Sequence, residues 1–201
     1  MRRVVKLGGS MLLRADLKHA VDQWMTIEPA AQTFVVVGGG KLIDAIRELD
    51  QVHAMDQREI HWTCVDLLTT TATFVAKTLQ WNLISTPSQW QAVLMETPQK
   101  NTPSVIVPDV FYNRDHLHGN PAEAVRSLLP EDWRTTTDSI AAYLAAIIKA
   151  DELVLLKSCE IPESMSSVEL AESGIVDQAF PDLAGVLAES GLQQFRVEQL
   201  V

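Results

Sequence analysis

The chain is poor in cysteine, in aromatic residues and in positive charge. Its 201 residues hold only Cys64 and Cys159, far apart and outside any C-x-x-C pair. A disulfide framework or a cysteine-built zinc site needs more sulfur than that. Two free thiols in a reducing compartment are therefore expected, a single bridge between them being the alternative. Lys and Arg total 16 against 26 Asp and Glu, a formal net charge of −10. That balance repels polyphosphate backbones and anionic bilayers, so neither a nucleic acid nor a membrane is an expected partner. No apolar run reaches the ~18–20 residues needed to cross a bilayer. The opening MRRVVKLGGS also lacks the apolar h-region, roughly 7–15 residues long, of a secretory signal. The cytoplasm is the expected location.

What is present is an ordinary globular balance, 47% hydrophobic and 21% charged, which excludes a disordered chain. The length predicts one domain over residues 1–201, and no internal repeat or low-complexity tract divides it. Short β-branched runs alternate with amphipathic stretches. Strands are predicted at Arg3–Leu7, Thr33–Val37, Asn82–Ser85, Ser104–Pro108, Glu152–Leu156 and Phe195–Leu200. Helices are predicted at Asp16–Met25, Lys41–Val52, Asp56–Gln80, Gln89–Glu96, Pro121–Leu129, Thr137–Lys149 and Asp182–Ser190. The threonine-rich run from Thr69 to Thr73 has poor helix propensity and leaves a break in the longest of these open. Loops are predicted at Glu96–Pro103, Pro108–Asn120 and Ser158–Ser167. Alternating strands and helices imply crossover units, and unbroken apolar strands such as VVV and LVLL imply burial on both faces. The expected architecture is a three-layer αβα sandwich around a mainly parallel sheet.

In such sheets ligands sit beyond the carboxyl ends of the strands. Two glycine-rich turns are expected there: Gly8-Gly9-Ser10 after the first strand and Gly38-Gly39-Gly40 after the second. Glycine lets main-chain N–H groups approach an anion, and a following helix N-terminus adds positive potential. The plain alternative is that the glycines only make tight strand-to-helix turns. Neither turn is a Walker A loop, and a G-x-G-x-x-G reading fails at Ile43. Lys6 and Lys157 end two strands on this edge, where cations stabilise a transferring phosphoryl group. Thr135-Thr136-Thr137-Asp138-Ser139 opens the apolar run IAAYLAAII. It reads either as an ordinary helix cap or as hydroxyl donors to an anion, with Asp138 orienting a lysine.

Other residues carry two readings each. His116 and His118 have no third ligand nearby and read as a surface loop, so no metal site is assigned. His61 and Trp62 read as core or dimer packing, or as acceptor contacts. Trp133 reads as loop packing or as the wall of a flat aromatic acceptor. Lys41 is either solvated or a phosphate contact, and Asp177 either a turn cap or a magnesium ligand.

Val4–Ser10 (VVKLGGS), Phe34–Asp44 (FVVVGGGKLID), Thr135–Ala145 (TTTDSIAAYLA) and Glu152–Ser158 (ELVLLKS), in this order, resemble the amino acid kinase family. That family includes acetylglutamate, aspartate and uridylate kinases. The resemblance implies a three-layer αβα sandwich, a homodimer, and ATP with Mg2+ as phosphoryl donor. It implies that Lys6, Gly8, Gly9 and Ser10 hold the donor phosphates and the phosphoryl in flight. Gly38, Gly39 and Gly40 then face the acceptor, and Asp138 organises the lysines. Within the family, Leu129–Ala142 (LPEDWRTTTDSIAA) is similar to small kinases of one-carbon carrier biosynthesis. Those kinases phosphorylate an aminomethyl-furan-methyl phosphate on the route to methanofuran. Uridylate kinases share the Thr-Thr-Asp core and also act on a phosphate monoester. Such an acceptor needs donors rather than a base, and Thr136, Thr137 and Ser139 are suitable ones.

The sequence departs from the family after the fifth strand. It reads Lys157-Ser158-Cys159-Glu160-Ile161-Pro162, without a Val-Asp-Gly-Val-like turn, and no lysine follows Lys157. A second catalytic cation is then Lys157 or an arginine. The chain is expected to be one complete domain, shortened after Lys157 relative to larger relatives. Two other readings stay open: a binding or regulatory protein that has lost nucleotide chemistry, and a kinase for a metabolite carboxylate.

Overall fold

Six runs of β-branched and aliphatic residues pair into one sheet: β1 (Arg2–Leu7), β2 (Gln32–Val37), β3 (Asn82–Ile84), β4 (Ser104–Ile106), β5 (Glu152–Lys157) and β6 (Gln194–Gln199). In this computed structural model the residues described are 1–28, 31–95, 103–114, 122–162, 164–189 and 191–201. His116 and His118 lie outside them, as do parts of the loops predicted around residues 96–103 and 108–120. The strand order is β3-β4-β2-β1-β5-β6, and every pairing is parallel. All six predicted strands form, within a residue or two of the expected bounds. The central ones, β1, β2 and β5, are buried almost throughout, which is why they read as unbroken apolar runs.

The order turns about β1: the chain adds β2, goes to the edge with β3 and fills in β4 on one side, then returns to add β5 and β6 on the other. Register puts Leu7 beside both Val37 and Leu156, so the loops after β1, β2 and β5 leave the sheet together. A crevice at such a reversal is where open parallel sheets place their ligands.

Helices α1 (Leu17–Ile27), α2 (Lys41–His53), α3 (Gln57–Leu79), α4 (Pro87–Met95), α5 (Ala122–Arg126), α6 (Thr137–Ile148), α7 (Ser167–Glu172) and α8 (Phe180–Glu189) complete a three-layer αβα sandwich. α6 is the most buried, packing on β1, β2 and β5 and against α8. Its alanines at 141, 142 and 145 let it lie close to the sheet. Among the described residues no helix is long and apolar enough to cross a membrane.

Two expectations need correction. α3 runs unbroken through the threonine-rich stretch, so the break left open there does not occur. Thr71 donates its hydroxyl to the Leu68 carbonyl and Thr73 to that of Thr69, while Thr71, Ala72 and Val75 are buried; packing outweighs the weak propensity. α7 follows directly on the predicted 158–167 loop, where no helix was expected. A capping box starts it: Ser166 Oγ accepts from Glu169 N at 3.2 Å, and Glu169 Oε2 accepts from Ser166 N at 2.8 Å.

At the amino ends of the strands lies a charged cluster with no counterpart in the sequence reading. Arg3 on β1 bonds Glu152 on β5 and lies 3.3 Å from Glu28. Arg196 on β6 reaches Glu28 at 2.6 Å and Glu152 at 2.7 Å.

Candidate active site

Parallel strand ends and one helix start bring three charged side chains together. Lys6 is the penultimate residue of β1, Lys157 closes β5, and Asp138 stands in the first turn of α6. Lys6 Nζ lies 2.9 Å from Asp138 Oδ1, and Lys157 Nζ donates to Oδ1 at 2.9 Å and Oδ2 at 2.8 Å. All three are buried, at 6%, 9% and 4% exposure for Lys6, Lys157 and Asp138. Burial alone drives a carboxyl upward, but the two ammonium groups outweigh it and hold Asp138 below the usual carboxylate range. Burial and the neighbouring Lys6 push Lys157 down to about 8, against the pull of Asp138. Asp138 is thus committed to the lysines as an anion. Two cations bracket one carboxylate, leaving positive potential for an incoming anion.

The glycine turns do more than reverse the chain. A Cβ on Gly9 would sit 2.1 Å from the Gly40 nitrogen, and one on Gly38 would sit 2.5 Å from the Gly9 nitrogen. Gly40 has φ +55, and a Cβ there would sit 2.4 Å from the Gly9 oxygen. The loops after β1 and β2 therefore touch main chain to main chain, a contact no side chain permits. Gly8 N donates to Leu156 O at 3.1 Å, and the Ser10 and Ser158 hydroxyls lie 2.7 Å apart. Those two contacts tie the β1 loop to β5.

Two clefts meet on this edge. One, of about 350 Å³, opens toward α2 and α3 and is lined by Gly38, Gly39, Gly40, Arg47, Trp133 and Thr137 among others. The other, of about 410 Å³, opens toward the segment after β5 and is lined by Gly8, Lys157, Ser158, Cys159, Glu160 and Gly174 among others. Lys6, Gly9 and Ser10 border both. The lysines, glycines and threonines singled out from the sequence thus gather at one junction, whereas Ser139 does not. Ser139 is fully buried, borders neither cleft, and donates its hydroxyl to Asp177. Thr136 lines the first cleft, but its hydroxyl also donates to Asp177, at 2.8 Å. Asp177 is accordingly a helix cap, the plainer of its two readings.

The remaining candidates sort by their partners. Trp133 Nε1 donates to Asp50 at 2.7 Å, and the Arg47 guanidinium lies over its ring at 4.5 Å. Arg47 was missed in the sequence, although it lies two turns beyond Gly40 on α2, where the helix period returns it to the cleft side. Lys41 is largely exposed and lies 3.5 Å from Asp44. His61 Nε2 lies 2.9 Å from the Tyr112 hydroxyl, and burial pushes this imidazole down, toward its neutral form. Trp62 donates to Glu131 at 2.9 Å and stacks on Tyr112. Both cysteines are free; burial pushes Cys64 up to about 11, which keeps it a thiol. Among the described residues no three His, Cys, Asp or Glu side chains gather into a metal-holding group.

Comparison with known proteins bears on this arrangement. No curated protein matches the chain. Among solved structures, uridylate kinase from Archaeoglobus fulgidus is similar at 18% identity, with 98% of this chain and 90% of that one covered, TM-score 0.59. Aspartate kinase from Synechocystis is similar at 18% identity, covering 98% of this chain and 38% of that one, TM-score 0.63. Carbamate kinase from Giardia lamblia bound to AMP-PNP is similar at 12% identity, covering 99% and 92%, TM-score 0.53. These likenesses are of fold. The sequence model of the amino acid kinase family matches residues 1–160, four strands and both glycine turns included. With β5 and Lys157 inside that span as well, the chain belongs to the amino acid kinase family.

Proposed function

We propose that the protein is an ATP-dependent phosphotransferase whose acceptor is a small molecule already carrying a phosphate. The observation that carries this reading is the Lys6–Asp138–Lys157 cluster at the junction of two clefts. The cleft beside Lys157 takes the donor, with Gly8, Gly9 and Ser10 along its phosphates. The cleft toward α2 takes the acceptor, between Gly38, Gly39, Gly40, Thr136 and Thr137. Arg47 and Lys41 at that cleft favour an anionic acceptor, and Trp133 gives it a flat wall. The acceptor we favour is an aminomethyl-furan-methyl phosphate of methanofuran-type cofactor biosynthesis, on the sequence likeness of residues 129–142. The similar structures, uridylate and carbamate kinases among them, agree with phosphoryl transfer to a small molecule.

In this reading an acceptor phosphate oxygen forms a bond to the γ-phosphorus as the bond to the β,γ-bridging oxygen breaks and ADP leaves. Catalysis is mainly positioning and charge stabilisation, which two buried ammonium groups supply. Magnesium would arrive with the nucleotide, because phosphate oxygens are its usual ligands. The reading takes residues 1–201 as one domain, since strands of one sheet run from residue 2 to residue 199. It takes the free thiols as suited to the reducing cytoplasm.

Labelled ATP with a panel of small phosphate monoesters tests the proposal. Transfer of label to a monoester supports it, and a product that reacts with hydroxylamine points instead to a carboxylate acceptor. A second reading, a binding protein without transfer, draws on Cys159 and Glu160 lining the donor cleft, since a carboxylate there disfavours phosphates. Calorimetry with Mg-ATP and a non-hydrolysable analogue separates the two, and absence of binding at millimolar nucleotide favours the second.

A further inference from the structure

α6 begins at Thr136, whose own side chain makes no capping bond to the helix. The first N–H groups of a helix have no intrahelical acceptor and need one from elsewhere. Here it comes from a residue 41 positions further along. Asp177 Oδ2 accepts from Thr136 N at 2.8 Å, from Thr136 Oγ1 at 2.8 Å and from Ser139 N at 3.1 Å. The Ser139 hydroxyl donates to Oδ1 of the same carboxylate. The clamp is itself anchored, because Ala179 N donates to Arg134 O at 3.1 Å, joining the segment before α8 to the loop before α6.

Asp138 lies between the two clamped residues. A small tilt of this turn would carry its carboxylate away from both lysines. We infer that Asp177 is a positioning residue: it caps α6 from outside the helix and so keeps Asp138 between Lys6 and Lys157. Asp177 borders neither cleft and touches no reacting group. The groups facing it are Thr136, Ser139 and Asp138, all of α6; burial and the Asp138 charge push its carboxyl upward, against those hydrogen bonds. The kinetic consequence rests on the phosphotransferase reading. The clamp does not.

The test uses the full-length chain with Asp177→Asn, Asp177→Ala and, in reserve, Asp177→Ser. The readout is the titration of the Lys157 ammonium, followed by NMR on labelled lysine. The first two variants lose the same charge, but the asparagine oxygen still accepts from Thr136 N and Ser139 N. A loosened Asp138 stabilises the Lys157 cation less. The Lys157 midpoint is therefore expected lower in Asp177→Ala than in Asp177→Asn. Equal midpoints in two folded variants overturn the inference, since a merely structural role changes the melting temperature and not this difference. If Asp177→Ala does not fold, Asp177→Ser, equally neutral but one bond too short to reach the same N–H groups, takes its place, and a midpoint equal to that of Asp177→Asn overturns the inference. In the kinetic arm kcat is expected to fall on the order of 10²-fold in Asp177→Ala, with the acceptor KM little changed and partial rescue by asparagine. Wild-type chain that transfers no phosphate to any acceptor sinks the phosphotransferase reading and leaves the titration result standing.

Discussion

Lys157 sets the pH behaviour of the site. Its ammonium, lowered to about 8, donates two bonds to Asp138 and, in the transfer we propose, is one of two cations beside the phosphoryl group. Below about 8 it is charged; above, the cluster loses a cation. We predict that kcat/KM falls on the alkaline side with a midpoint near 8, and that Lys157→Arg, which stays protonated far higher, moves that limb up. A limb unmoved by the arginine variant would assign it to another group. Gly9 is the second residue whose identity is dictated locally. Any side chain there meets the Gly40 main chain, so Gly9→Ala is expected to destabilise by at least about 1–3 kcal/mol in denaturant unfolding. The two lysines and the glycines were legible as residues because strand ends and turns can be read in sequence. Asp177 was legible only as ambiguous, because its partners lie some 40 residues away.

Among the elements, strands announced themselves most clearly. β1, β2 and β5 are buried on both faces, and burial of that kind writes a continuous apolar run. α7 did not, because six residues hold less than two turns of periodicity; its Ser-x-x-Glu capping box at Ser166 and Glu169 was the available signal. The threonines of α3 misled in the opposite direction, since propensity is local and the packing that overrode it is not. The cluster beneath the sheet is likewise a tertiary feature, joining β1, β5 and β6 to the end of α1 through charges. Arg3 and Glu152 are almost fully enclosed. Removing one partner leaves the other buried, so Glu152→Ala should cost about 3–5 kcal/mol in unfolding experiments. A loss below ~1 kcal/mol would show the pair to be solvated in practice.

For the molecule as a whole, α2 stands apart. It contributes no buried residue, yet Leu42, Ala45, Ile46, Leu49 and Val52 share one face, with Leu49 51% and Val52 75% exposed. On a chain of net charge −10 such a stripe is a poor surface to leave in water. We predict self-association through it, and that Leu49→Glu converts a dimer into a monomer in sedimentation; a monomeric wild-type chain would contradict this. The fold and the lysine–aspartate cluster were accessible from sequence because the motifs mark strand ends and one helix start. The separation into two clefts was not, because it depends on how the loops after β1 and β2 press together. That separation is central to the account. Its most direct measurement is transfer of the γ-phosphoryl of labelled ATP to a small phosphate monoester by the wild-type chain and by folded Lys6→Ala. Transfer is expected from the first and a loss of at least roughly 10²-fold in the second, since Lys6 borders both clefts. Equal transfer by the two would contradict it.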